Sequence, residues 1–149
     1  MSITTVIQAI KQVHTNDVVF VKIGKFYHVY GKDSYILSYL FEYKIKKVEN
    51  NCSTCGFPED SFAKVKSKLE HMKINYLVVD RRNNYDVEDK VDNKNLNKYE
   101  ATFANAHKYV NLKNRIDNIH TYLIKNIKNE NIRQKIVDIE NILNEGRKI

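Results

Sequence analysis

The chain has 149 residues, of which 42% are hydrophobic, and it carries a formal net charge of +7. That length suffices for one compact domain or for a domain with an appendage. No apolar run approaches the roughly 20 residues of a membrane span, and the N-terminus lacks the pattern of a secretion signal, so we expect a cytoplasmic protein without membrane contact. The basic charge is spread over both halves of the sequence, which favours a polyanionic partner and excludes a polybasic tail.

The N-terminal residues predict a helix followed by a β-hairpin. Apolar residues within Ile3–Val13 recur at the spacing of one helix face, and an Asn-Asp pair then stops the helix. Val18–Ile23 and Phe26–Tyr30 are apolar or aromatic runs separated by a Gly-Lys pair. This is the pattern of two strands joined by a tight turn.

Strand and helix patterns continue as far as residue 92. A second helix follows the hairpin, with Asp33 or Ser34 as its cap, and a third extends from Asp60, its expected N-cap, to Met72. Between these helices we expect a strand over Lys44–Val48 and turn residues over 50–54. Two more strands are predicted, one buried on both faces and one at an edge: Asn75–Asp80 and Tyr85–Val91.

The alternation of helices and strands in residues 1–92 predicts an α/β (α+β) domain, a mixed β-sheet flanked by helices. We expect one core in this domain, containing Val19, Val21, Leu37, Leu40, Val65, Leu69, Leu77 and Val79. The pattern becomes helical beyond Asp92. Residues 97–149 are predicted to form an all-α helical hairpin, which is a candidate dimerisation element.

The predicted helical hairpin carries an apolar stripe that needs cover. The stripe consists of Tyr109, Leu112, Ile116, Ile119, Leu123, Ile127, Ile132, Ile136, Ile139 and Leu143. In one interpretation the stripe folds against the sheet domain of its own chain. In the other, hairpins of two chains pair into a four-helix dimer bundle, which makes the protein a homo-oligomer through residues 97–149.

The turn sequence Gly24-Lys25-Phe26-Tyr27-His28 is the most informative motif, because an aromatic residue beside a tight turn can reach a partner. The motif and the segments around it resemble the N-terminal mismatch-recognition domain (domain I) of the DNA mismatch repair protein MutS, with its Gly-x-Phe-x-Glu signature. The resemblance runs to about residue 92 and covers no other part of MutS. Its matching segments are Val18–Ile23, Lys32-Asp33, Lys44–Val48, Cys55-Gly56-Phe57-Pro58 and Tyr76–Asp80.

This resemblance implies a stand-alone, non-enzymatic DNA-binding module for mismatched or distorted duplex. Phe26 would be the wedge that enters the minor groove beside a mispaired base and kinks the duplex. His28 stands where the family has Glu, and it would contact a base edge or a phosphate. Lys25, Lys46 and Lys47 would contact phosphates. The alternatives are that Phe26 is a packing aromatic and that the lysines form a solvated sheet face.

Two departures from the family pattern favour another interpretation. His28 replaces the glutamate, and the two residues after Pro58 are acidic where some family members carry a basic DNA contact. The rival hypothesis is a protein-interaction or oligomerisation scaffold that kept the fold and lost mismatch sensing. A third hypothesis is binding of single-stranded DNA or RNA, with stacking on Phe26, Tyr27 and Tyr30.

Cys52 and Cys55 have the spacing of half a zinc site or of a redox pair. No second ligand pair has a matching spacing, so we expect a surface loop with two free thiols, with a metal site at this pair or a redox role as the alternatives. No spacing of acids, serines or histidines predicts catalysis, and there is no Gly-rich phosphate loop. We therefore expect no enzyme activity, no cofactor and no nucleotide-binding site.

Overall fold

The computed structural model describes residues 2–145 and forms two compact units, Met1–Val110 and Asn111–Ile149. The first unit contains a six-stranded sheet with helices packed on it, and the second is helical. The predicted fold class, a mixed sheet flanked by helices and followed by further helices, is confirmed. The division into residues 1–92 and 97–149 stays a prediction, and the long helix α4 (Tyr99–Lys125) continues from the first unit into the second.

The first unit alternates helices and strands. Its elements before α4 are, in chain order, α1 (Ile3–Val13), β1 (Val18–Ile23), β2 (Phe26–Tyr30), α2 (Lys32–Phe41), β3 (Lys46–Val48), β4 (Cys52–Pro58), α3 (Phe62–His71), β5 (Tyr76–Asp80) and β6 (Asp86–Val91). The bounds of α1, β1 and β2 are those that the sequence predicts. The predicted strands β5 and β6 each begin one residue later than expected.

The strands are ordered β3-β4-β2-β1-β5-β6. β1 and β5 are parallel, with Val19 opposite Leu77, and the other neighbouring strands are antiparallel. All five residues of β5 are buried, as predicted, because helices cover both faces of the sheet at this position. β6 forms one edge of the sheet, also as predicted.

The turn between β1 and β2 consists of Gly24 and Lys25, and Ile23 pairs with Phe26 directly before and after it. Gly24 has a φ of 62°. A positive φ at the first turn position is what a two-residue hairpin of the type II′ class requires, and glycine adopts it without a steric penalty. The turn places Phe26 at the tip of the sheet.

Two hydrophobic clusters lie on opposite faces of the sheet, so the prediction of a single core is wrong. One cluster joins α1 to β1 and β5, and the other joins α2, α3 and the first turns of α4 to the opposite face. Successive residues of a strand point to opposite faces. The first cluster, here called the α1 cluster, therefore contains Val19, Val21, Leu77 and Val79. The second, here called the larger cluster, contains Leu37, Val65 and Leu69, with Leu40 packed beside them.

Strand β4 is the element that the sequence pattern misses. The turn expected over residues 50–54 ends at Asn51, which like Asn50 has a positive φ, and Cys52 begins a seven-residue strand. β4 pairs with β2, with Tyr30 opposite Thr54 at one end and Phe26 opposite Pro58 at the other. β3 has three residues, fewer than predicted, because it pairs only with the first three residues of β4.

Neither Asp33 nor Ser34 caps α2, contrary to expectation. The N-cap is Gly31, with no side-chain cap bond, and the Asp33 carboxylate is fully buried. It accepts hydrogen bonds from the Val19 N–H at 3.0 Å, the Tyr99 hydroxyl at 2.5 Å and Lys11 Nζ at 3.0 Å. Burial raises the pKa of Asp33 above its ordinary value, although Lys11 and the hydrogen bonds pull it down. The carboxylate thereby joins α1, β1, α2 and the first turn of α4.

The expected cap of the third helix is also wrong. Ser61 is the N-cap residue of α3, and Asp60 lies in a 3₁₀ turn over Glu59–Ser61. The buried residues of α3 are Phe62, Val65 and Leu69, which form the predicted apolar face.

The second unit is described as far as residue 145 and consists of the end of α4 and of α5 (Glu130–Asn144), as predicted. Asn129 caps α5 by accepting a hydrogen bond from the Asn131 N–H. Lys135 Nζ donates to the Tyr122 hydroxyl at 2.8 Å and lies over the Tyr122 ring. Much of the apolar stripe is exposed, including Leu112, Ile116, Ile119, Ile127, Ile136 and Leu143.

Within residues 2–145, no helix combines the length and the apolar character that crossing a bilayer requires.

Candidate nucleic-acid interface

One face of the sheet is covered by α1 over only part of its width. Ile7, with Ile3 and Ile10 beside it, packs on the β1 and β5 side chains of this face. The strands β2, β4 and β3 continue the same face beyond α1. By strand alternation and cross-strand register, the part beyond α1, here called the open face, consists of Phe26, His28, Tyr30, Lys46, Val48, Cys52, Thr54, Gly56 and Pro58.

Every second residue of β2 contributes a ring to the open face. The ring centroids of Phe26 and His28 are 6.5 Å apart, and those of His28 and Tyr30 are also 6.5 Å apart. Phe26 is 50% exposed at the tip, whereas Tyr30 is buried at the border with the α1 cluster. The exposure that a wedge role requires of Phe26 is therefore present.

The His28 imidazole packs on the backbone of its cross-strand neighbour Gly56. A Cβ at Gly56 would come within 2.7 Å of two imidazole atoms, so glycine leaves the space that the ring occupies. Burial, and secondarily the charge of Lys46, lower the pKa of His28 below its ordinary value of 6.5. At pH 7 the imidazole is neutral and offers one hydrogen-bond donor and one acceptor.

The three candidate lysines do not lie together. Lys46 is opposite Thr54 and belongs to the open face. Lys47 points to the other face, where its Nζ donates to Ser53 Oγ at 2.9 Å. Lys25 is exposed in the hairpin turn, and its carbonyl accepts a hydrogen bond from the Glu59 N–H. Only Lys46 thus shares a surface with Phe26 and His28, while Lys25 flanks the tip.

A cavity of about 610 Å³ opens on this side of the sheet. Phe26, His28, Lys46 and Thr54 line it, together with Tyr43 and Lys44 from the segment that precedes β3. The described residues that line it include two lysines and no carboxylate, so the cavity suits an anion with a planar group.

Tyr27 is not available as a stacking platform, which corrects that part of the single-strand hypothesis. It points away from the open face and is buried in the larger cluster, where its ring stacks on Phe62 with centroids 3.9 Å apart. Phe26 and Tyr30 keep the positions on the open face that the hypothesis needs. The ring between them is His28, which the hypothesis does not include.

The expected surface loop at Cys52 and Cys55 is wrong, because both residues belong to strand β4. Because the two cysteines are three positions apart on a strand, their side chains point to opposite faces of the sheet. Cys52 packs beside the α1 cluster, and Cys55 lies in the larger cluster on the opposite face. They therefore cannot converge on one metal ion. Burial raises the pKa of the Cys55 thiol to about 12, which makes it an inert core residue.

The sequence interpretation misses Thr54 and Gly56 on the open face and Tyr43 beside the cavity. Thr54 and Gly56 enter the open face through the pairing of β4 with β2 and β3, which is a long-range contact without a local signal. Tyr43 lies before β3, and its ring stacks on Phe57 of the larger cluster. The only hint is the alternation of Thr54, Gly56 and Pro58, which is weak because glycine and proline usually mark turns.

Comparisons with known proteins agree with the resemblance seen at the hairpin. No curated protein sequence matches this chain. Residues 4–105 match the protein family described as MutS domain I. The matched region spans the whole six-stranded sheet, the open face and the start of α4. With more than half of its length matched, the chain belongs to the MutS domain I family.

Proposed function

We propose that this protein is a non-enzymatic DNA-binding module that recognises mismatched or otherwise distorted duplex DNA in the cytoplasm of a bacterium. The observation that carries the proposal is the position of Phe26, half-exposed at the tip of the β1–β2 hairpin and next to two lysines that line the same cavity. Membership of the MutS domain I family supports DNA as the partner.

The energetics of a wedge favour distorted sites. Inserting an aromatic ring between base pairs unstacks them, which costs about a few kcal/mol per step in a paired duplex. Mispaired steps are already weakly stacked and bend easily, so the penalty is lower there. Lys25 directly precedes Phe26 in the turn and Lys46 lies on the open face, and both would add phosphate contacts that do not depend on sequence.

His28 changes how a displaced base would be contacted. A carboxylate at this position only accepts hydrogen bonds and repels the DNA backbone, whereas a neutral imidazole both donates and accepts. We infer that His28 contacts base edges with less discrimination than a glutamate and with less electrostatic repulsion. The module would then respond to distortion more than to the identity of the mispaired bases.

The decisive experiment is a salt series of fluorescence anisotropy titrations with matched, G·T-mismatched and single-stranded oligonucleotides of equal length. We expect the mismatched duplex to bind most tightly and all affinities to fall with salt, by about 0.9 logarithmic units per neutralised phosphate and tenfold salt increase. Equal affinity for matched and mismatched duplex would contradict distortion sensing. Absence of salt-dependent binding to any of the three would favour the scaffold hypothesis.

We also propose that the helical residues 97–149 mediate pairing with a second copy of this chain. This pairing corresponds to the oligomerisation role in the scaffold hypothesis. Several large apolar side chains of the second unit are exposed, among them Leu112, Ile116 and Ile119, and exposed apolar surface of this kind marks an interaction site. Charge favours a second copy as the occupant. Residues 111–128 carry four basic residues and one acid, whereas residues 130–145 carry four acids and two basic residues.

In a twofold pair, α4 of one chain would therefore lie against α5 of the other with complementary charge. Sedimentation equilibrium of the full chain should report a dimer, and Ile119→Glu should convert it to a monomer. Thr121→Glu is the matched control, since Thr121 is an exposed polar residue of the same helix, and it should leave the dimer intact. A monomeric wild-type protein would contradict this pairing and leave the DNA proposal untouched.

A further inference from the structure

The six-stranded sheet ends in two exposed edge strands. β6 (Asp86–Val91) forms one edge, and its first five residues are exposed. β3 (Lys46–Val48) forms the other edge, and all three of its residues are exposed. In the described part of the chain, neither strand has a second strand beside it. Each edge therefore presents backbone N–H and C=O groups that are a template for pairing with a further strand.

The two edges carry opposite charges. β6, here called the acidic edge, contains three acids and one lysine. Residues 44–48, here called the basic edge, include β3 and contain three lysines and no acid. Among the residues that the structure describes, Asp89 pairs with Lys66 at 3.7 Å, whereas Asp86 and Glu88 have no ion-pair partner. Charges on an edge prevent its pairing with an edge of like charge. An acidic edge and a basic edge attract each other instead.

An apolar groove lies beside the acidic edge. It separates the end of α1 from β6, and its walls include Ile10, Val13, Val79, Tyr85 and Val87. Val13 is 78% exposed and Val87 is 51% exposed. Val87 is opposite Val79 of the α1 cluster, so the groove is on the α1 side of the sheet. A strand added to β6 would cover part of this groove with its own side chains.

We propose that the basic edge of one copy of this chain pairs with the acidic edge of a second copy, so that the two sheets join into one. β6 has a bulge at Glu88, and its regular stretch beyond the bulge, residues 89–91, has the same three-residue length as β3. Val48 of β3 is 38% exposed and belongs to the open face, which is on the α1 side of the sheet. Joining the sheets with this side in common places Val48 on the same face as the groove, so apolar surface is buried together with the charges.

Pairing of two different edges leaves one edge of each kind free at the ends of the assembly. Contacts of this heterologous type produce open rows of copies, in contrast to the closed twofold pair expected of the helices. The short β3 strand makes the contact small, and small interfaces are weak and transient.

Charge-reversal variants of the full chain test the pairing in the absence of DNA, so the result does not depend on the proposed DNA binding. Ile119→Glu serves as the background because it removes the helix pairing. Sedimentation velocity measures the average mass from about 10 μM to about 1 mM, the range of weak association. We expect the mass to rise with concentration without a plateau at the dimer, and to rise less at high salt.

Two double variants give both edges the same sign of charge. They are Asp86→Lys with Glu88→Lys, and Lys44→Glu with Lys47→Glu. Each alone should abolish the rise in mass. An equimolar mixture should restore it, because every edge of one variant is then complementary to an edge of the other.

Matched controls change the net charge equally at exposed positions away from both edges. They are Glu100→Lys with Glu140→Lys, and Lys68→Glu with Lys108→Glu, and both should keep the rise in mass. Thermal unfolding of each variant verifies the fold. A constant mass of the Ile119→Glu chain would show that a second copy does not occupy the acidic edge. That result, a rise that persists in either edge variant, or a mixture that stays monomeric would overturn the inference.

Discussion

His28 and Gly56 face each other across the β2–β4 pair, and the imidazole of the first occupies the space that a side chain would need on the second. The observed position of the His28 ring therefore requires a glycine at position 56. The contact holds the imidazole on the open face between Phe26 and Tyr30, in the position where the family signature has a glutamate.

Gly56→Ala should destabilise the protein by about 1 to 3 kcal/mol, the range for inserting a methyl group into a packed contact. The added Cβ would lie within 2.7 Å of the imidazole, which must then leave its place. The measurement is urea unfolding of Gly56→Ala, His28→Ala and the double variant. We expect the double variant to be more stable than the sum of the single effects predicts. Additive effects would show that the two residues do not interact.

The affinity for DNA should rise as the pH falls from 7.5 toward 5.5. Burial and Lys46 lower the pKa of His28 in the free protein, so the residue is neutral at the start of this range. Nearby phosphates favour the protonated imidazole, so the complex binds more protons than the free protein and acid strengthens binding. Anisotropy titrations of the wild type and His28→Gln measure this effect.

His28→Gln should show a flatter pH dependence, which isolates His28 from the other four histidines of the chain. A second check is the pKa itself: because Lys46 lowers it, Lys46→Ala should move the pKa of His28 upward in an NMR titration. Identical pH profiles of wild type and His28→Gln would place the imidazole away from the DNA.

Phe26→Ala should leave the melting temperature nearly unchanged and weaken binding to mismatched duplex by about 1 to 3 kcal/mol, the size of one base–aromatic stack. The reason is that Phe26 is half-exposed, so its removal opens no core cavity. Phe20→Ala is the stability control: Phe20 is fully buried, and its removal should cost about 3 to 5 kcal/mol of folding free energy.

Phe26→Trp should restore the binding that Phe26→Ala loses. Because the chain contains no tryptophan, this variant also carries a single fluorescent reporter at the tip of the hairpin. Stacking on a base should quench it. A large fall in melting temperature for Phe26→Ala with unchanged affinity would make Phe26 a structural residue instead.

Lys46→Ala and Lys47→Ala should behave differently although the residues are adjacent. Lys46 is on the open face, whereas Lys47 is bonded to Ser53 on the opposite face. Lys46→Ala should weaken binding to all duplexes alike and reduce the salt slope by about 1. Lys47→Ala should leave the slope unchanged. Equal effects in the salt titrations would mean that DNA contacts both faces of β3.

Tyr99→Phe should destabilise the protein by about 1.5 to 3 kcal/mol, the range for a hydrogen bond to a charged group. The Tyr99 hydroxyl donates to the buried Asp33 carboxylate, which burial already disfavours in its charged form. Tyr122→Phe is the control, because Tyr122 is about half-exposed and should change stability by less than about 0.5 kcal/mol. Chemical denaturation of both variants compares them; similar effects would contradict the role of the buried network.

The elements that the sequence predicts well are those set by local patterns. The helix α1 and the β1–β2 hairpin have their predicted bounds because periodicity and a Gly-Lys turn define them within a few residues. Strand β4 has no such pattern, since Asn50 and Asn51 precede it and Gly56 and Pro58 interrupt it. Its pairing with β2 is a contact between distant residues, and single-sequence periodicity does not contain that information.

The candidate site is only partly predictable for the same reason, since it depends on contacts between distant residues. Phe26 and His28 follow from the turn motif, but their surroundings depend on which residues of β3 and β4 lie opposite. The sequence does not show which of the adjacent residues Lys46 and Lys47 faces the candidate site. The register of β3 against β4 assigns Lys46 to the open face and Lys47 to the opposite face. The buried role of Asp33 is likewise invisible, because Lys11 and Tyr99 reach it from distant parts of the chain.

Helix α4 determines how this domain could be exchanged between genes. Tyr99, Thr102, Ala106 and Val110 are buried in the first unit, so about three turns of the helix complete that unit. A recombination that cut the gene at the polar stretch before Tyr99 would remove the partner of Asp33 and open the larger cluster. Only breakpoints beyond Val110 release the sheet as a portable module, and the rest of the helix is then free to vary or to be lost.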